Sequence, residues 1–447
     1  MIELDPVAMA EAMGAEILRE GAAGFPVRAS IDSRSVGPDE LFFGLSGERA
    51  DGGEFAGQAL AGGAWGVVLS REWAGDQAGG GEGWVFSVAD PQASLQALAT
   101  AWRRELSVPV LGITGSVGKT SVKDIARAIL PGRVHANEEN RNTEIGLPLT
   151  VLAAPRETDL LVLEMAMRGF GQITLLAEIG EPDVGVITCV GPVHVEQVGS
   201  VEGVARAKAE LIDGLPPEGT LVAPADPGLL APHLERAPAL ITFGEGGDVR
   251  AEAVEVAGDG LSATVVTPAG EERFRFSFTE LHNLTNALAA IAAGVALGFE
   301  PSEMSAGAGR IRLSGLRGER ILLPGGAVLI NDCYNANPVS MEAAIANLAA
   351  EQAGQRVAVL GLMGELGERS EVYHAEVGEF ARESGIDVVV GVGPEAARYL
   401  PDVMVDDPAG AAEELARLDR EGTVILVKGS RSAGLEAVAE ALVGPPD

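Results

Sequence analysis

The chain of 447 residues is poor in positive charge, and the shortage falls on lysine. Lys and Arg together number 32 against 65 Asp and Glu, which gives a formal net charge of -33. The lysines number four, at positions Lys119, Lys123, Lys208 and Lys428. Because so negative a field repels phosphate backbones, we expect no nucleic-acid partner. We expect the lysines to lie in motifs, because an amine that can lose its proton does chemistry closed to arginine.

Cysteine and long apolar runs are also scarce. The two cysteines, Cys189 and Cys333, are too few and too far apart for a disulfide framework or a zinc site. No apolar run is long enough to span a bilayer, and the acidic start of the chain is unlike a signal peptide. The hydrophobic content of 47% still suffices for a sizeable core. We therefore expect a cytoplasmic protein without stable membrane insertion.

The order of apolar and polar segments predicts an α/β protein with three domains. Residues 1–105 mix short strands and helices, as in a small α/β domain. Strand and helix patterns alternate over residues 106–312, and runs such as Leu160–Glu164 are typical of strands buried in a mostly parallel sheet. Between Ala251 and Phe278 a period of two predicts antiparallel hairpins. A further βα series over residues 313–447 predicts a Rossmann-like C-terminal domain.

A glycine-rich turn between a predicted strand and a predicted helix indicates a phosphate loop, so the central domain is predicted to be of the P-loop ATPase type. Its glycines let backbone N–H groups turn toward phosphate oxygens, and the helix N-terminus adds positive potential. Lys119 would reach the β- and γ-phosphates, and the Thr120 hydroxyl would ligate Mg²⁺. The spacing is shorter than in the common loop, because position 113 is Ile. The alternative, a chance glycine turn, is disfavoured by the strand–loop–helix context. The residues expected to bind ATP here are Gly115, Ser116, Val117, Gly118, Lys119, Thr120 and Ser121.

Three polar residues downstream are candidates for a metal site beside this loop. Glu164 ends a predicted strand, where its carboxylate could hold Mg²⁺ opposite Thr120 or cap a helix instead. His194 follows the next strand, but a lone loop histidine is more often incidental. Lys208 lies on the following helix, where residue chemistry alone favours a solvated lysine paired with a nearby acid.

Together and in this order, these residues resemble the Mur ligases over nearly the whole chain. The motifs lie in the predicted nucleotide, metal and substrate regions. They are Asp32–Arg34 and Leu41–Gly52 of the uridine-nucleotide domain, the phosphate loop Ile113–Lys123, the following Asn140–Leu149, the metal stations Glu164–Gly169 and Gly191–His194, the carbamylated-lysine segment Ala207–Glu210, and the adenine-side motif His282–Ala287.

One motif indicates a particular branch of that family. Tyr-Asn-Ala-Asn-Pro at Tyr334–Pro338 differs from the equivalent segment of ligases that add earlier residues and of folylpolyglutamate synthases. Leu366–Glu368 and Lys428–Ser432 agree with the same branch. The chain departs from the family pattern at Asn331, where an acid is usual, and at Leu362, where Asp is usual.

The resemblance implies an ATP-dependent ligase of peptidoglycan-precursor synthesis. Such an enzyme would join D-alanyl-D-alanine to UDP-N-acetylmuramoyl-tripeptide through an acyl phosphate, releasing ADP and phosphate. It implies a monomer whose N-terminal, central and C-terminal domains bind the UDP substrate, ATP and the dipeptide in that order. It also implies two Mg²⁺ ions, held by Thr120, Glu164, His194 and a carbamylated Lys208.

The resemblance further implies roles for single side chains. The catalytic residues would be Lys119, Lys208, His194 and Asp332. Asn283, Asn286 and Arg320 would join the loop in binding the nucleotide. The substrate-binding residues would be Ser33, Arg34, Asn142, Thr143, Asn335, Asn337, Lys428, Arg431 and Ser432. For those of the C-terminal domain, a structural role as turn-formers or helix caps is the alternative.

Two other functions stay open at this point. The first is a Mur-type or folylpolyglutamate-type ligase with another amino-acid substrate, against which the segment Tyr334–Pro338 argues. The second is a catalytically silent nucleotide-binding module with a regulatory role. Its support is confined to the departures at Asn331 and Leu362.

Overall fold

The computed structural model describes residues 1–75, 81–138, 140–258 and 260–443, and the strands in these ranges form four sheets. Parallel strands alternate with helices in three of the sheets, and the remaining sheet is antiparallel. The predicted α/β class with parallel-sheet domains is therefore confirmed.

The N-terminal sheet combines a parallel core with one antiparallel edge. Its elements are α1 (Pro6–Met13), β1 (Glu16–Arg19), β2 (Ala29–Ser30), β3 (Leu41–Phe43), α2 (Ala56–Ala61), β4 (Gly66–Ser70), β5 (Trp84–Val88) and α3 (Pro91–Leu106). The strand order is β1-β5-β4-β3-β2, with β1 antiparallel to β5. Asp90 begins α3 by accepting a hydrogen bond from the Gln92 N–H at 2.8 Å. Trp102, on the apolar face of α3, is fully buried, and its indole N–H donates to the carbonyl of Ala154 at 3.1 Å.

The central sheet is entirely parallel and has its reversal point beside the predicted phosphate loop. Its strands are β6 (Val110–Thr114), β7 (Val134–Ala136), β8 (Leu160–Glu164), β9 (Val184–Ile187), β10 (Thr220–Pro224) and β11 (Leu240–Phe243). Their order is β11-β10-β9-β6-β8-β7, so the chain leaves β6 first toward one edge and later toward the other. The carboxyl ends of β6, β8 and β9 therefore border a crevice, which is where open α/β sheets bind ligands.

Helices cover both faces of this sheet, and an antiparallel hairpin sheet packs beside it. The helices are α4 (Lys119–Ile129), α5 (Gly146–Ala153), α6 (Gln172–Gly180), α7 (Val195–Val198), α8 (Val201–Lys208), α9 (Glu210–Asp213), α10 (Ala231–Leu234), α11 (Leu281–Ala296) and α12 (Pro301–Ala308). The antiparallel strands are β12 (Arg250–Ala257), β13 (Gly260–Thr267) and β14 (Gly270–Phe276). Phe274 and Phe276 of β14 join the buried core beneath α11.

The C-terminal sheet is parallel except for its first strand. Its elements are β15 (Glu319–Leu322), β16 (Val328–Asn331), α13 (Pro338–Ala350), β17 (Gln355–Leu360), α14 (Ser370–Glu383), β18 (Val388–Val392), β19 (Val403–Val405), α15 (Pro408–Leu418), β20 (Thr423–Lys428) and α16 (Glu436–Val443). The order is β15-β16-β20-β17-β18-β19, with β15 antiparallel at the edge. The central strand β20 is buried at all six positions, as a strand covered on both faces requires.

The described helices do not include one with the length and apolarity needed to cross a bilayer.

Helix α4, which follows the phosphate loop, packs closely against α12. Gly307 of α12 lies against the end of α4, and a Cβ built at Gly307 would be 2.3 Å from the carbonyl oxygen of Ala128. Because backbone atoms cannot give way as a flexible side chain can, a methyl group here would separate the two helices.

We predict that Gly307→Ala lowers the free energy of unfolding by about 1–3 kcal/mol, since overpacking against backbone displaces α12 from α4. Gly57 of α2 is a matched control, because a Cβ there would meet nothing within 4 Å. Gly57→Ala should leave stability equal or raise it by up to about 1 kcal/mol. Urea unfolding of both variants measures the difference, and equal midpoints would contradict the prediction.

Candidate active site

The carboxyl ends of the central strands open into a cleft of about 630 Å³ between the central and C-terminal domains, here called the interdomain cleft. The phosphate loop lies on one side of it, and the segment after β16 lies on the other. Most of the sequence-predicted site residues line it together. They are Ser116, Val117, Gly118, Lys119, Thr120, Ser121, Asn142, Thr143, Glu164, His194, Asn283, Asn286, Asp332, Asn335, Asn337 and Lys428.

The shape of the phosphate loop depends on two glycines with positive φ. Gly115 has φ +148°, and a Cβ there would lie 1.8 Å from the Thr188 hydroxyl oxygen. Gly118 has φ +86°, and a Cβ there would lie 2.4 Å from the side-chain oxygen of Asn286. Both positions therefore exclude side chains, by backbone conformation and by space. The Ser116 hydroxyl also exchanges hydrogen bonds with the backbone of Gly191, at 2.9 and 3.1 Å, which fixes the loop against the end of β9.

The side-chain amino groups of two lysines meet at this loop. The Nζ atoms of Lys119 and Lys208 both donate to the carbonyl oxygen of Gly115, each at 2.9 Å. Lys208 is 1% exposed and binds a backbone carbonyl, so it is not the solvated, acid-paired lysine that residue chemistry alone favoured. Burial lowers the pKa of Lys208 well below its ordinary value, and the neighbouring charge of Lys119 acts in the same direction. Burial also lowers the pKa of Lys119, while the Glu164 carboxylate opposes that change.

Glu164 is held rigidly beside the first turn of α4. Its Oε2 accepts from the Thr120 hydroxyl at 2.9 Å, and its Oε1 accepts from the Asn142 amide at 2.7 Å. Its backbone N–H donates to the side-chain oxygen of the buried Asn137 at 2.6 Å. Glu164 is 2% exposed, and its carboxylate accepts from a side-chain hydroxyl and a side-chain amide, not from the backbone N–H groups that a helix cap would bind.

The side-chain oxygens of Thr120 and Glu164, 2.9 Å apart, are the candidate ligands of one Mg²⁺ in the cleft. Two adjacent oxygens of an octahedral Mg²⁺ site, each about 2.0–2.1 Å from the ion, lie about 2.9 Å apart. Within the part of the chain that the structure describes, no group of three or more His, Cys, Asp or Glu side chains could hold a metal ion. The Thr120 hydroxyl and the Glu164 carboxylate suit Mg²⁺, which binds few carboxylates and takes further oxygens from phosphates and water.

The residues predicted for a second Mg²⁺ are not gathered into one cluster. His194 has φ +52°, and its Nδ1 contacts the Oε2 of Glu365, which belongs to the C-terminal domain. This contact lowers the pKa of the Glu365 carboxyl. Arg168 approaches the other oxygen of Glu365 to 3.9 Å. His194 is therefore tied to the neighbouring domain, whereas Lys208 is tied to the phosphate loop.

On the C-terminal side, an internal ion pair shapes the segment after β16. The Lys428 Nζ donates to the Asp332 carboxylate at 2.7 Å and to the Asn335 carbonyl at 3.1 Å. Asn337 begins α13, because its side-chain oxygen accepts from the Ser340 N–H at 3.0 Å. The structure thus gives Asn337 the helix-cap role that was the alternative to substrate binding. The Asn335 side-chain oxygen accepts from the adjacent Ala336 N–H at 2.9 Å.

Arg320, predicted to bind the nucleotide, is not brought to the interdomain cleft. Its guanidinium pairs with the Glu351 carboxylate at 2.7 Å, outside the lining of the cleft. Arg317 lies in the cleft instead, where its Nη2 donates to the Thr120 hydroxyl at 3.0 Å and its guanidinium covers the Tyr334 ring at 4.1 Å. Sequence reasoning missed Arg317. The available signal was an arginine within the glycine-rich Gly315–Gly318, directly before β15.

Four other predicted substrate residues also lie outside the cleft. Arg34 is in the N-terminal domain beside Ser33, and its exposed guanidinium pairs with Asp32 at 2.7 Å. Arg431 approaches Glu436 to 3.3 Å, and Ser432 follows it in the same short turn after β20. The interdomain cleft therefore does not test the roles predicted for these residues.

Comparison with known proteins identifies the family of the chain. Residues 113–294 match the Mur ligase middle domain, and residues 316–431 match the Mur ligase glutamate ligase domain. A Bacillus subtilis protein named UDP-N-acetylmuramoyl-tripeptide–D-alanyl-D-alanine ligase is 36% identical over 433 residues, which cover 93% of each chain. The crystal structure of MurF from Acinetobacter baumannii superposes with a TM-score of 0.88 at 28% identity and covers 97% of each chain. MurF ligase from Thermotoga maritima, in complex with ADP, has a TM-score of 0.81 at 29% identity and covers 93% of this chain and 96% of that one.

The chain belongs to the Mur ligase family. It is an ATP-dependent ligase, and the full-length relatives that it resembles carry the name of the ligase that uses D-alanyl-D-alanine.

We predict that Arg317→Ala weakens ADP binding about ten-fold, because a charged hydrogen-bond donor is removed from the phosphate side of the cleft. Arg320→Ala serves as the matched control and should change affinity less than two-fold, since Arg320 is engaged by Glu351 outside the cleft. Calorimetric titration with ADP and Mg²⁺ measures both. A larger loss for Arg320→Ala than for Arg317→Ala would contradict this prediction and support Arg320 as a nucleotide ligand.

Proposed function

We propose that this chain joins D-alanyl-D-alanine to UDP-N-acetylmuramoyl-tripeptide in the synthesis of a peptidoglycan precursor, with conversion of ATP to ADP and phosphate. The observation that carries the proposal is that one cleft holds both the phosphate loop and the segment Asp332–Asn337. The first is suited to ATP, and the second bears the motif of the dipeptide-adding branch. The names of the full-length relatives support the same substrates.

The reaction needs activation of a carboxylate, because its oxygen is a poor leaving group. Attack of the tripeptide carboxylate on the γ-phosphorus breaks the bond to the β-phosphate oxygen and gives an acyl phosphate and ADP. The amine of the dipeptide then attacks the acyl carbon. The C–N bond forms, phosphate leaves with its electron pair, and the amine loses a proton. The protein contributes mainly positioning and charge neutralisation.

On the ATP side, the loop N–H groups, Lys119 and Arg317 would face the β- and γ-phosphates. Thr120 and Glu164 would hold Mg²⁺, which neutralises charge on the phosphate oxygens when it is bound. Asn283 and Asn286, on the first turns of α11, would contact the nucleotide beyond the loop. Both asparagines line the cleft, and Asn286 touches the loop at Gly118.

On the acceptor side, Lys428 and Asp332 neutralise one another and hold the backbone of the segment beneath them. We therefore assign Lys428 to positioning the dipeptide segment. Because Asn337 caps α13, Asn335 is the asparagine of that segment that would contact the dipeptide. Asn142 and Thr143 line the cleft near Glu164, where the tripeptide carboxylate must arrive.

Lys208 would carry a carbamate that contributes oxygens to a second Mg²⁺ together with Glu164 and His194. Support comes from its burial and from its lowered pKa, because carbamate formation requires the neutral amine. Arginine at this position could not react in this way at ordinary pH. The hydrogen bond from Lys208 to the Gly115 carbonyl would then have to break, so that the carbamate oxygens could face the metal.

The remaining assignments follow from the domain order. Residues 1–105 would bind the uridine nucleotide through Ser33 and Arg34, residues 106–312 would bind ATP, and residues 313–447 would bind the dipeptide. We place the enzyme in the cytoplasm, where ATP is available. The monomeric state stays a prediction.

A silent nucleotide-binding module is the less supported function. Asn331 is 3% exposed, and its side-chain oxygen accepts from the Cys333 thiol at 2.8 Å, outside the lining of the interdomain cleft. Leu362 uses its carbonyl to accept from the Ser430 N–H at 2.8 Å and is also outside that lining. Both departures from the family pattern therefore leave the phosphate loop, Glu164 and Lys208 unchanged.

Phosphate release from ATP tests the proposed reaction. We expect release that requires both UDP-N-acetylmuramoyl-tripeptide and D-alanyl-D-alanine, and little release when either is omitted or when a single amino acid replaces the dipeptide. Release with a single amino acid as acceptor would favour another Mur-type substrate. No release with any combination would favour the silent module.

We predict that Lys208→Ala lowers kcat by about 100-fold or more, because the carbamate oxygens that would hold the second Mg²⁺ are lost. Short carboxylic acids such as acetate should partly restore turnover by supplying the missing oxygens. Lys208→Arg is the control that keeps the charge without a carbamate, and it should be as slow as Lys208→Ala. The ¹³C resonance of a carbamate formed from labelled CO₂ should appear in the parent and vanish in both variants. Near-normal turnover of Lys208→Arg would refute the carbamate.

A further inference from the structure

The connection between the central and C-terminal domains has no regular secondary structure and is held by separate contacts, among them the Tyr334 N–H to the Leu316 carbonyl at 3.2 Å. It runs from Gly309 to Gly318, between α12 and β15, without helix or strand. Three of its ten residues are glycines, and Leu316 has φ +61°. A segment of this composition samples many conformations unless other parts of the protein fix it. Yet it carries Arg317, whose guanidinium reaches the interdomain cleft.

The connection is attached to the phosphate-loop helix at two points. Both the N–H and the hydroxyl of Ser314 donate to Oδ2 of Asp124, at 2.8 and 2.7 Å. Arg317 donates to the Thr120 hydroxyl at 3.0 Å. Thr120 and Asp124 are four residues apart on α4 and so lie on one face, one turn from each other. The attachment at Asp124 thus fixes the chain three residues before Arg317.

The Asp124 carboxylate is also paired with a buried lysine. Its Oδ1 lies 3.3 Å from the Nζ of Lys123, whose side chain is 3% exposed. Lys123 donates to the carbonyl of Asn137 at 2.9 Å, and the Asn137 side chain binds the N–H of Glu164 at 2.6 Å. The charge of Asp124 is therefore compensated within the fold. Asp124 does not line the interdomain cleft, so its contribution to the site has to pass through other residues.

We propose that Asp124 is a positioning residue for nucleotide binding: by fixing Ser314, it holds the interdomain connection in the conformation that places Arg317 in the cleft. The inference rests on the proposed nucleotide site. Without this attachment, Arg317 is carried by a glycine-rich segment that occupies the binding-competent conformation for a smaller fraction of the time. The apparent affinity for the nucleotide falls by that fraction.

Titration of the full-length chain with ADP and Mg²⁺ tests the proposal. Ser314→Ala removes one of the two hydrogen bonds to Asp124 and leaves the Lys123–Asp124 pair intact, so it avoids an uncompensated buried charge. We expect the Kd for ADP to rise about three- to ten-fold, as the loss of one hydrogen bond to a charged group allows. Asp124→Asn should raise Kd in the same direction.

Ser277→Ala is the matched control. Its hydroxyl donates to the carbonyl of Ile311 at 2.7 Å, so it attaches the same connection to β14 instead of α4. We expect Ser277→Ala to change the Kd for ADP by less than two-fold while lowering stability by an amount similar to Ser314→Ala. An equal loss of affinity in the two serine variants would overturn the proposal, because any loosening of the connection would then suffice.

The decisive comparison is made in the Arg317→Ala background. If Asp124 acts through Arg317, Ser314→Ala should have no further effect on the Kd for ADP once Arg317 is absent. The same three- to ten-fold loss in both backgrounds would overturn the proposal. This titration contains neither peptide substrate, so its failure would leave the proposed reaction to the phosphate-release assay, and failure of that assay would leave the titration result unaffected.

Discussion

The side-chain amino groups of two lysines converge on one carbonyl oxygen, that of Gly115, and this shared contact ties the phosphate loop to both α4 and α8. Burial lowers the pKa of Lys208 well below its ordinary value and the charge of Lys119 acts in the same direction, which favours the neutral amine at Lys208. The positive φ of Gly115 turns the carbonyl toward both lysines while the loop N–H groups remain available for an anion. Lys119, Arg317 and the loop N–H groups give a chain with a net charge of -33 a local site that suits a nucleotide phosphate.

The second constraint is that the site is assembled across a domain boundary. The central domain supplies the phosphate loop, but Arg317 and Glu365 come from the polypeptide that follows it, and they reach Thr120 and His194 respectively. Neither contact is local in sequence, so each depends on how the C-terminal domain is seated. Helix α4 is central to the position of the C-terminal domain, because it follows the phosphate loop and binds the interdomain connection. Through Lys123 and Asn137 it is also linked to the strand that ends at Glu164.

The parts of the site that the sequence predicts are those with strong local patterns. The apolar run Leu160–Glu164 forms a strand with the same bounds, because hydrophobic burial on both faces determines its length. The arginines before and in β15 show the limit of prediction from local sequence patterns. Arg317 lies in the connection without helix or strand, just after Leu316 with its φ of +61°, and Arg320 lies three residues further on in β15. No local rule states which of the two arginines faces the cleft. Asn337 is similar, since an asparagine before proline fits a helix cap and a ligand equally well until its neighbours are placed.

The scarcity of lysine has a structural explanation that goes beyond membership in motifs. Each of the four lysines donates to a main-chain carbonyl oxygen: Lys119 and Lys208 to Gly115, Lys123 to Asn137, and Lys428 to Asp332 and Asn335. Three of them are at most 3% exposed. An ammonium group is compact and can be enclosed by carbonyl oxygens, whereas a guanidinium is a wide planar fork suited to carboxylates at the surface. Arginine can bind main-chain carbonyls too, as Arg103 does at Gly180 and Glu181, but its side chain stays 13% exposed there. The four lysines of the chain therefore lie where the charge is enclosed by main-chain carbonyls. These positions are at the phosphate loop and at the segment that faces it across the cleft.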